Sequence, residues 1–282
     1  MSMLNYIGRR LLLMAIVLAG VVVITFTISH MVPGDPLVAN LGQSAMSNPE
    51  IVAAYEEKWG LNKPLPEQFV LYVKNMFKGD LGTSIRTKRP VLYDLSVYFP
   101  ATIEMATLAT IMSVVFGLLF GVISAARRNK TADQVLRAVS LVGISIPAFW
   151  LALLMLYFFY FRLNIAPGSG RLGLAFLSYK SETGFLIIDA IKNGNMPLLK
   201  YVFSHIAMPS IVLAASTMGL MTRTVRSSML DVMSQDYLRT ARAKGLTERQ
   251  VITDHALKNG LIPSVTMFGL SYGSLLGGTV LV

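Results

Sequence analysis

Five stretches of this sequence, at 11–28, 105–126, 138–161, 201–222 and 260–282, are apolar and contain no Asp, Glu, Lys or Arg. Each is close to the roughly 20 helical residues that cross a hydrocarbon core about 30 Å thick. Inside a bilayer the backbone has no water to bond, so a spanning segment must be a helix or part of a closed barrel. Barrel strands run about ten residues with alternating polarity, a pattern these stretches lack. The expectation is an all-α polytopic membrane protein with about five spans. Composition agrees: 54% of residues are hydrophobic and 14% charged, where a soluble domain carries about 25% charged residues. The first run is too long for the apolar region of a cleaved leader, and no small-residue cleavage site follows "TFTISHMVPGDP". It is therefore expected to be a retained span. The chain has no cysteine, which excludes disulfides and thiolate metal sites.

The formal net charge of +10 is explained by topology rather than by nucleic-acid binding. Arg9 and Arg10 precede the first run. Arg127, Arg128, Lys130 and Arg137 follow the second, opposed only by Asp133. Arg223, Arg226, Arg239, Arg242, Lys244, Arg249 and Lys258 follow the fourth. All three groups fall on one side if the N-terminus is cytoplasmic, as the positive-inside rule requires. The expected organisation is an N-terminus and first span at 1–31, then an extracytoplasmic segment with amphipathic helices at 32–99. Spans two to four occupy 100–229, with an extracytoplasmic loop at 163–200. A cytoplasmic loop at 230–258 and a fifth span at 259–282 complete it.

In the 32–99 segment, "NPEIVAAYEEKWG" offers Asn48 as N-cap, Pro49 at the first helical position and Gly60 as a stop. "PLPEQFVLYVKNMFKG" places Phe69, Val70, Val73, Met76 and Phe77 at spacings of three and four, which predicts an amphipathic helix ending at Gly79. It would lie on the membrane or pack on a neighbouring span.

No constellation for bond-breaking chemistry assembles. His30, His205 and His255 are scattered without an H-E-x-x-H motif, and "PGSG" at 167–170 lacks the nucleophile-elbow spacing. The phosphate-binding loop G-x-x-x-x-G-K-[ST] is absent, so ATP hydrolysis is not expected of this chain. Neither a catalytic nor a metal-binding residue is assigned. Candidates for a transport path are Glu104, Ser145 and Pro147. Glu104, four residues after Pro100, is expected in the first turn of an inward-running helix, where a carboxylate favours the helix dipole. Pro147 in "SIPAFW" should kink or break the third span. His30 and Arg162 fall at span ends and should snorkel. Gly117 with Gly121, and Gly269, Gly273 and Gly277 on one ridge, have the spacing that lets membrane helices approach closely.

The most unusual stretch is "DYLRTARAKGLTERQ" at 236–250, a compact charged element between two apolar runs. Ser234 is expected to cap a short helix carrying Asp236 in its first turn, with Arg239, Arg242 and Lys244 toward its end and Gly245 closing it. Thr247 and Gln250 form a capping box that starts a second helix. A DNA-reading helix-turn-helix has this local shape, but membrane tethers on both sides leave it no reach. Attraction to anionic lipid is diluted by Asp231, Asp236, Glu248 and Asp254. A docking element for a cytoplasmic partner accounts for the form: Ala241, Ala243 and Gly245 permit close approach, and Tyr237 and Leu238 supply apolar anchors.

Here the chain resembles the transmembrane permease subunits of bacterial ABC importers, whose cytoplasmic E-A-A-x3-G-x9-I-x-L-P loop docks on an ATPase. Aligned on Gly245, Arg239, Thr240 and Ala241 stand for E-A-A, and His255, Ala256, Leu257 and Lys258 for I-x-L-P. Ala241, Gly245 and Leu257 match the general pattern. The match to the dipeptide and oligopeptide branch is sharper, through "DYLRTARAKGL", "HALKNGLIP", "VPGDP", "GDLGTS", "PVLYDL", "PATIEMATLA", "SIPAFW" and "TGFLIIDA" in order along essentially the whole chain.

The resemblance implies a type I permease-like helical bundle in the bacterial inner membrane that forms half of a translocation pathway. Its partners would be a homologous second permease, two cytoplasmic ATPase subunits that bind ATP and Mg²⁺, an extracytoplasmic substrate-binding protein and membrane lipid, with no nucleic acid and no cofactor on this chain. Tyr237, Leu238, Arg239, Thr240, Ala241, Arg242, Ala243, Lys244 and Gly245 would form the coupling helix. The family continues beyond the position of Val282 through an E-x-x-F-x-x-P-G-x-G stretch and a further span, so a sixth span is expected to be missing. Relatives import nickel chelates, glutathione or haem as alternatives to peptides. Readings from other classes are an ion-coupled secondary transporter, which needs charged groups near the midplane, and a membrane scaffold without transport.

Overall fold

The computed structural model describes residues 3–31, 36–41, 46–168, 170–173, 176 and 178–278, and the chain falls into two compact units, Met1–Leu95 and Ser96–Val282. The protein is an all-α membrane protein; among the described residues extended pairing is confined to one bridge between Thr83 and Pro90.

In the first unit α1 (Met3–Met31) carries the first apolar run, and α2 (Pro36–Leu41) and α3 (Pro49–Trp59) follow. The Asn48 side chain accepts the Glu50 amide at 3.1 Å, Pro49 opens α3, and Gly60 ends it at φ +64°, as the sequence predicts. The predicted amphipathic helix is α4 (Leu65–Phe77), followed by Gly79 at φ +79°. Its apolar face packs on the last turns of α1: Phe26 lies 5.2 Å from Phe69 and 5.6 Å from Tyr72, ring centre to ring centre. His30 Nε2 lies 3.1 Å from Gln68 Oε1, so this histidine is engaged by α4.

The long α5 (Val91–Ala126) begins earlier than expected. Proline usually opens a helix because it lacks an N–H, but here Pro100 lies inside α5. A proline is tolerated within a membrane helix where neighbouring groups satisfy the freed carbonyls, and residues 91–99 are apolar enough to extend the helix backwards. Glu104 is therefore well inside α5 rather than in a first turn, and the helix-dipole expectation for it fails.

The third apolar run is broken where Pro147 predicts. Proline disfavours the α conformation in the residue before it, and Ile146 is extended, at φ −81° and ψ 125°. Consequently α6 (Thr131–Ser145) stops short, and α7 (Ala148–Met155) leaves at 102° before widening into a π-helical turn, Leu156–Arg162. At its end Arg162 Nε donates to the Tyr157 hydroxyl at 2.9 Å.

After α8 (Leu186–Lys192), α9 (Met196–Met233) runs about 57 Å at about 1.5 Å per residue. Its ends therefore project beyond the hydrocarbon core. Three helices, α1, α5 and α9, are long and apolar enough to span alone, and the bent α6–α7 pair makes up to four. The run at 260–282 forms α12 (Ile262–Gly278), 17 residues long within the described part, with its last positions outside it. Against the expected count of about five, the described residues hold three such helices, or four with the bent pair counted as one span, and this shorter helix at the position of the fifth.

Helix α9 is the spine of the second unit. It supplies Met221, Val225 and Met229 to one apolar cluster, Leu213 and Ala214 to a second, and Leu198, Val202 and Ile206 to a third. Gly117 and Gly121 of α5 let α9 come close: a methyl built on either would lie 2.6 Å from Met221 Cγ or Val225 Cβ. The second predicted ridge differs, since a methyl on Gly269, Gly273 or Gly277 meets nothing within 4 Å.

Candidate functional site

Beyond the end of α9 the chain folds into α10 (Asp236–Ala243), and α11 returns toward the membrane as three consecutive helical stretches, Glu248–Gln250, Val251–Ala256 and Leu257–Gly260. The expected cap at Ser234 is not formed. Ser234 ends α9 and its hydroxyl donates to the Asp231 carbonyl, while Gln235 precedes α10 without a side-chain cap. The hydroxyl prefers the free carbonyls at the end of α9, which lie within its reach.

The far end of α10 is built as expected. Gly245 adopts φ +83°, its N–H donates to the Arg242 carbonyl at 3.0 Å, and the Leu246 N–H donates to Ala241 at 3.4 Å. This is the reciprocal closure that requires a left-handed residue after a helix, a conformation that costs a residue with a Cβ about 1–2 kcal/mol. The Thr247–Gln250 capping box is present, with the Thr247 N–H donating to Gln250 Oε1 at 3.0 Å.

The two faces of α10 have different fates. Leu238 and Ala241 are buried with Val251 and Ala256 of α11 and with Met229 and Ala125. They anchor the helix to its own chain, so the expectation that these two meet a partner gives way: their surfaces are already covered. The exposed face carries Tyr237, Arg239, Thr240, Ala243, Lys244 and Gly245. Arg242 is half-buried and bonds Glu248 across the turn, and its Nη1 donates to the Met233 carbonyl at 3.4 Å. The Tyr237 hydroxyl accepts from Asn259 Nδ2 at 3.0 Å. The result is an anchored foot whose outer face carries Lys244 and the Arg239–Asp236 ion pair, with no bulk at Ala243 or Gly245.

The helix ends behind this foot are tied by a residue that sequence reasoning counted only as a counter-charge. Asp133 is fully buried and accepts from the Ser124 hydroxyl, the Asn129 amide at 2.9 Å, and Arg226 Nε and Nη2 at 2.7 and 2.8 Å. One carboxylate thus joins α5, the turn after it, α6 and α9. Its sequence signal was that it is the single acid in a basic connection.

The three path candidates do not converge. Glu104 is buried, paired with Arg171 and accepting the Ile187 amide at 2.7 Å in the first turn of α8. Ser145 and Pro147 are exposed at the α6–α7 break. A cavity of about 360 Å³ opens beside Glu104, walled by Met105 of α5, Leu156 beyond α7, Arg171, and His205 and Pro209 of α9, and none of the three candidates lines it. In the first turn of α8 Asp189 is buried, which alone would push its carboxyl up. The Ser181 and Thr183 hydroxyls and the Thr183 and Glu182 amides outweigh burial and hold it below its ordinary value. Among the described residues no group of three His, Asp or Glu could hold a metal.

Residues 117–282 match the binding-protein-dependent transport system inner membrane component family, and residues 3–106 match the N-terminal part described for the same membrane components. The chain is 43% identical over 281 residues to a probable D,D-dipeptide transport system permease protein of Escherichia coli K12, covering 100% of this chain and 82% of that one. It is 41% identical to a dipeptide transport system permease protein of Alkalihalophilus pseudofirmus, over 99% of this chain and 83% of that one. It is 35% identical to a glutathione transport system permease protein of Pectobacterium atrosepticum, over 99% and 81%.

Proposed function

Because the chain belongs to the binding-protein-dependent transport system inner membrane component family, we propose that it is a permease subunit of an ATP-driven importer of di- or oligopeptides, with its N-terminus and α10 on the cytoplasmic side. The observation that carries the mechanism is the two-faced α10. Leu238 and Ala241 lock it to the bundle, and its outer face stays exposed at the end of a helix longer than the membrane is thick. In this reading two ATPase subunits grip Tyr237, Arg239, Thr240, Ala243, Lys244 and Gly245, while Leu238, Ala241 and Arg242 hold the foot rigid. Movement of the foot passes to α9, and through Arg226 and Asp133 to α5 and α6. A homologous second permease completes the pathway, and an extracytoplasmic binding protein delivers the solute. Coupling requires that ATPase and binding protein each favour one pathway conformation over the other.

The relatives' names lean toward peptides: dipeptide-type permeases range from 43% down to 35% identity, and the glutathione-type permease stands at 35%. Ala243→Trp tests the coupling assignment, because it adds bulk to the exposed face without backbone strain. Expected are loss of ATPase co-purification and of ATP-dependent uptake in vesicles, with the variant present in the membrane at the normal level. Undiminished uptake with co-purifying ATPase would overturn the assignment, and gradient-driven uptake without ATP would favour the secondary transporter.

A further inference from the structure

Helices α6 and α9 cross where Gly143 faces the Ala215 carbonyl and Gly219 the Ser140 carbonyl; a methyl on either would lie 2.7 or 2.5 Å from that oxygen. From this crossing toward the turn at 127–130, a pocket of about 350 Å³ opens between the two helices. Arg137 of α6 and Arg223 and Arg226 of α9 line it, with Leu141 and Ile144 as its apolar wall. Among the described residues only one carboxylate stands against these three cations: Asp133, whose oxygens already accept from Ser124, Asn129 and Arg226 and which lies 3.6 Å from Arg137 Nε. Arg137 and Arg223 are exposed, and among the described residues Arg223 pairs with no carboxylate. The Ser140 and Thr222 hydroxyls donate to the Leu136 and Met218 carbonyls. The donors facing the pocket are therefore the guanidinium groups, whose planar fork fits phosphate oxygens two at a time, and the Ser227 hydroxyl.

Depth and flank decide what kind of anion fits. Arg226 is bonded to Asp133 in the first turn of α6, and Arg223 lies about one turn further along α9, a depth from which an arginine head can snorkel to headgroup level. Leu141 on the pocket wall is 65% exposed, and the adjoining face of α6 presents Val135, Val139 and Val142 at spacings of four and three. A free anion would leave this apolar surface uncovered, whereas acyl chains would cover it. We propose that the α6–α9 pocket is a binding site for an anionic glycerophospholipid, with its phosphate on Arg137 and Arg223 beside Arg226 and its chains along α6. Basic pockets between membrane helices on the cytoplasmic side take such headgroups.

The test uses the full chain in mixed micelles with phosphatidylglycerol or phosphatidylcholine, with bound lipid read by native mass spectrometry. Phosphatidylglycerol should be retained over phosphatidylcholine. Arg137→Gln and Arg223→Gln should each weaken it about fivefold, while the control Arg127→Gln with Arg128→Gln leaves it unchanged. Arg226 stays intact because it holds Asp133. Equal retention of the two lipids, or an equal loss in the control, would overturn the site. Competition by inorganic phosphate at matched concentration would overturn the lipid assignment in favour of a soluble-anion pocket. No uptake is measured, so failure here leaves the transport reading standing.

Discussion

At the residue scale the largest single dependence falls on Asp133. It is buried, doubly bonded to Arg226 and further satisfied by Ser124 and Asn129. Removing one partner of a buried ion pair leaves the other charge uncompensated, at a cost of about 3–5 kcal/mol. Asp133→Ala should lower stability by that order in detergent unfolding, with Asp133→Asn falling between it and wild type. A loss below about 1 kcal/mol would mean that water reaches the pair. Asp189 yields a pH dependence. Its folded carboxyl lies below the ordinary 3.8, so its contribution is fully present above that value and is lost as pH falls through the lower folded one. The stability gap between wild type and Asp189→Asn should be constant above about pH 5 and should narrow below about pH 4. A gap that widens on acidification would reverse the sign. Both carboxylates were visible as letters, but their partners were not. Glu104 shows the same limit, because Arg171 and the Ile187 amide lie far away in sequence.

At the scale of the element, helix ends were legible wherever local chemistry decides them. The cap at Asn48, the break before Pro147, the glycine closure at Gly245 and the Thr247–Gln250 box each rest on atoms a few residues apart. Ser234 and Pro100 went the other way, because the end of one helix and the apolar run before another outcompeted the local rule. Glycine spacing alone could not say which ridge is used. Gly121 meets Val225, while Gly269 meets nothing within 4 Å. Gly121→Leu should therefore destabilise the isolated chain by about 1–3 kcal/mol through overpacking, and Gly269→Leu by less than about 0.5 kcal/mol. Equal effects in thermal unfolding would refute the assignment of α5 to α9 contact.

On the scale of the whole molecule, the broken α6–α7 pair decides the topology. If the pair crosses once, residues 129 and 244 share a side and residues 57 and 180 share the other. The chain contains no cysteine, so single cysteines can be introduced and labelled with an impermeant maleimide. Asn129→Cys and Lys244→Cys should react only in inverted vesicles, and Glu57→Cys and Lys180→Cys only in intact cells whose outer face is open. Labelling of Lys180→Cys from the same side as Asn129→Cys would make the pair a re-entrant loop.

The class of molecule, its membrane environment and the capped, charged segment at 236–250 were determined by the sequence itself, because lipid solvation, charge distribution and caps act through composition or through near neighbours. Which face of that segment is free, which glycines touch and which arginine neutralises Asp133 were decided by the tertiary structure. Those outcomes depend on residues about a hundred positions apart being brought within a few ångströms, as when Arg226 meets Asp133 at 2.7 Å. A charge pattern can announce that such a meeting is needed; only the packing of α9 against α5 and α6 selects the partner.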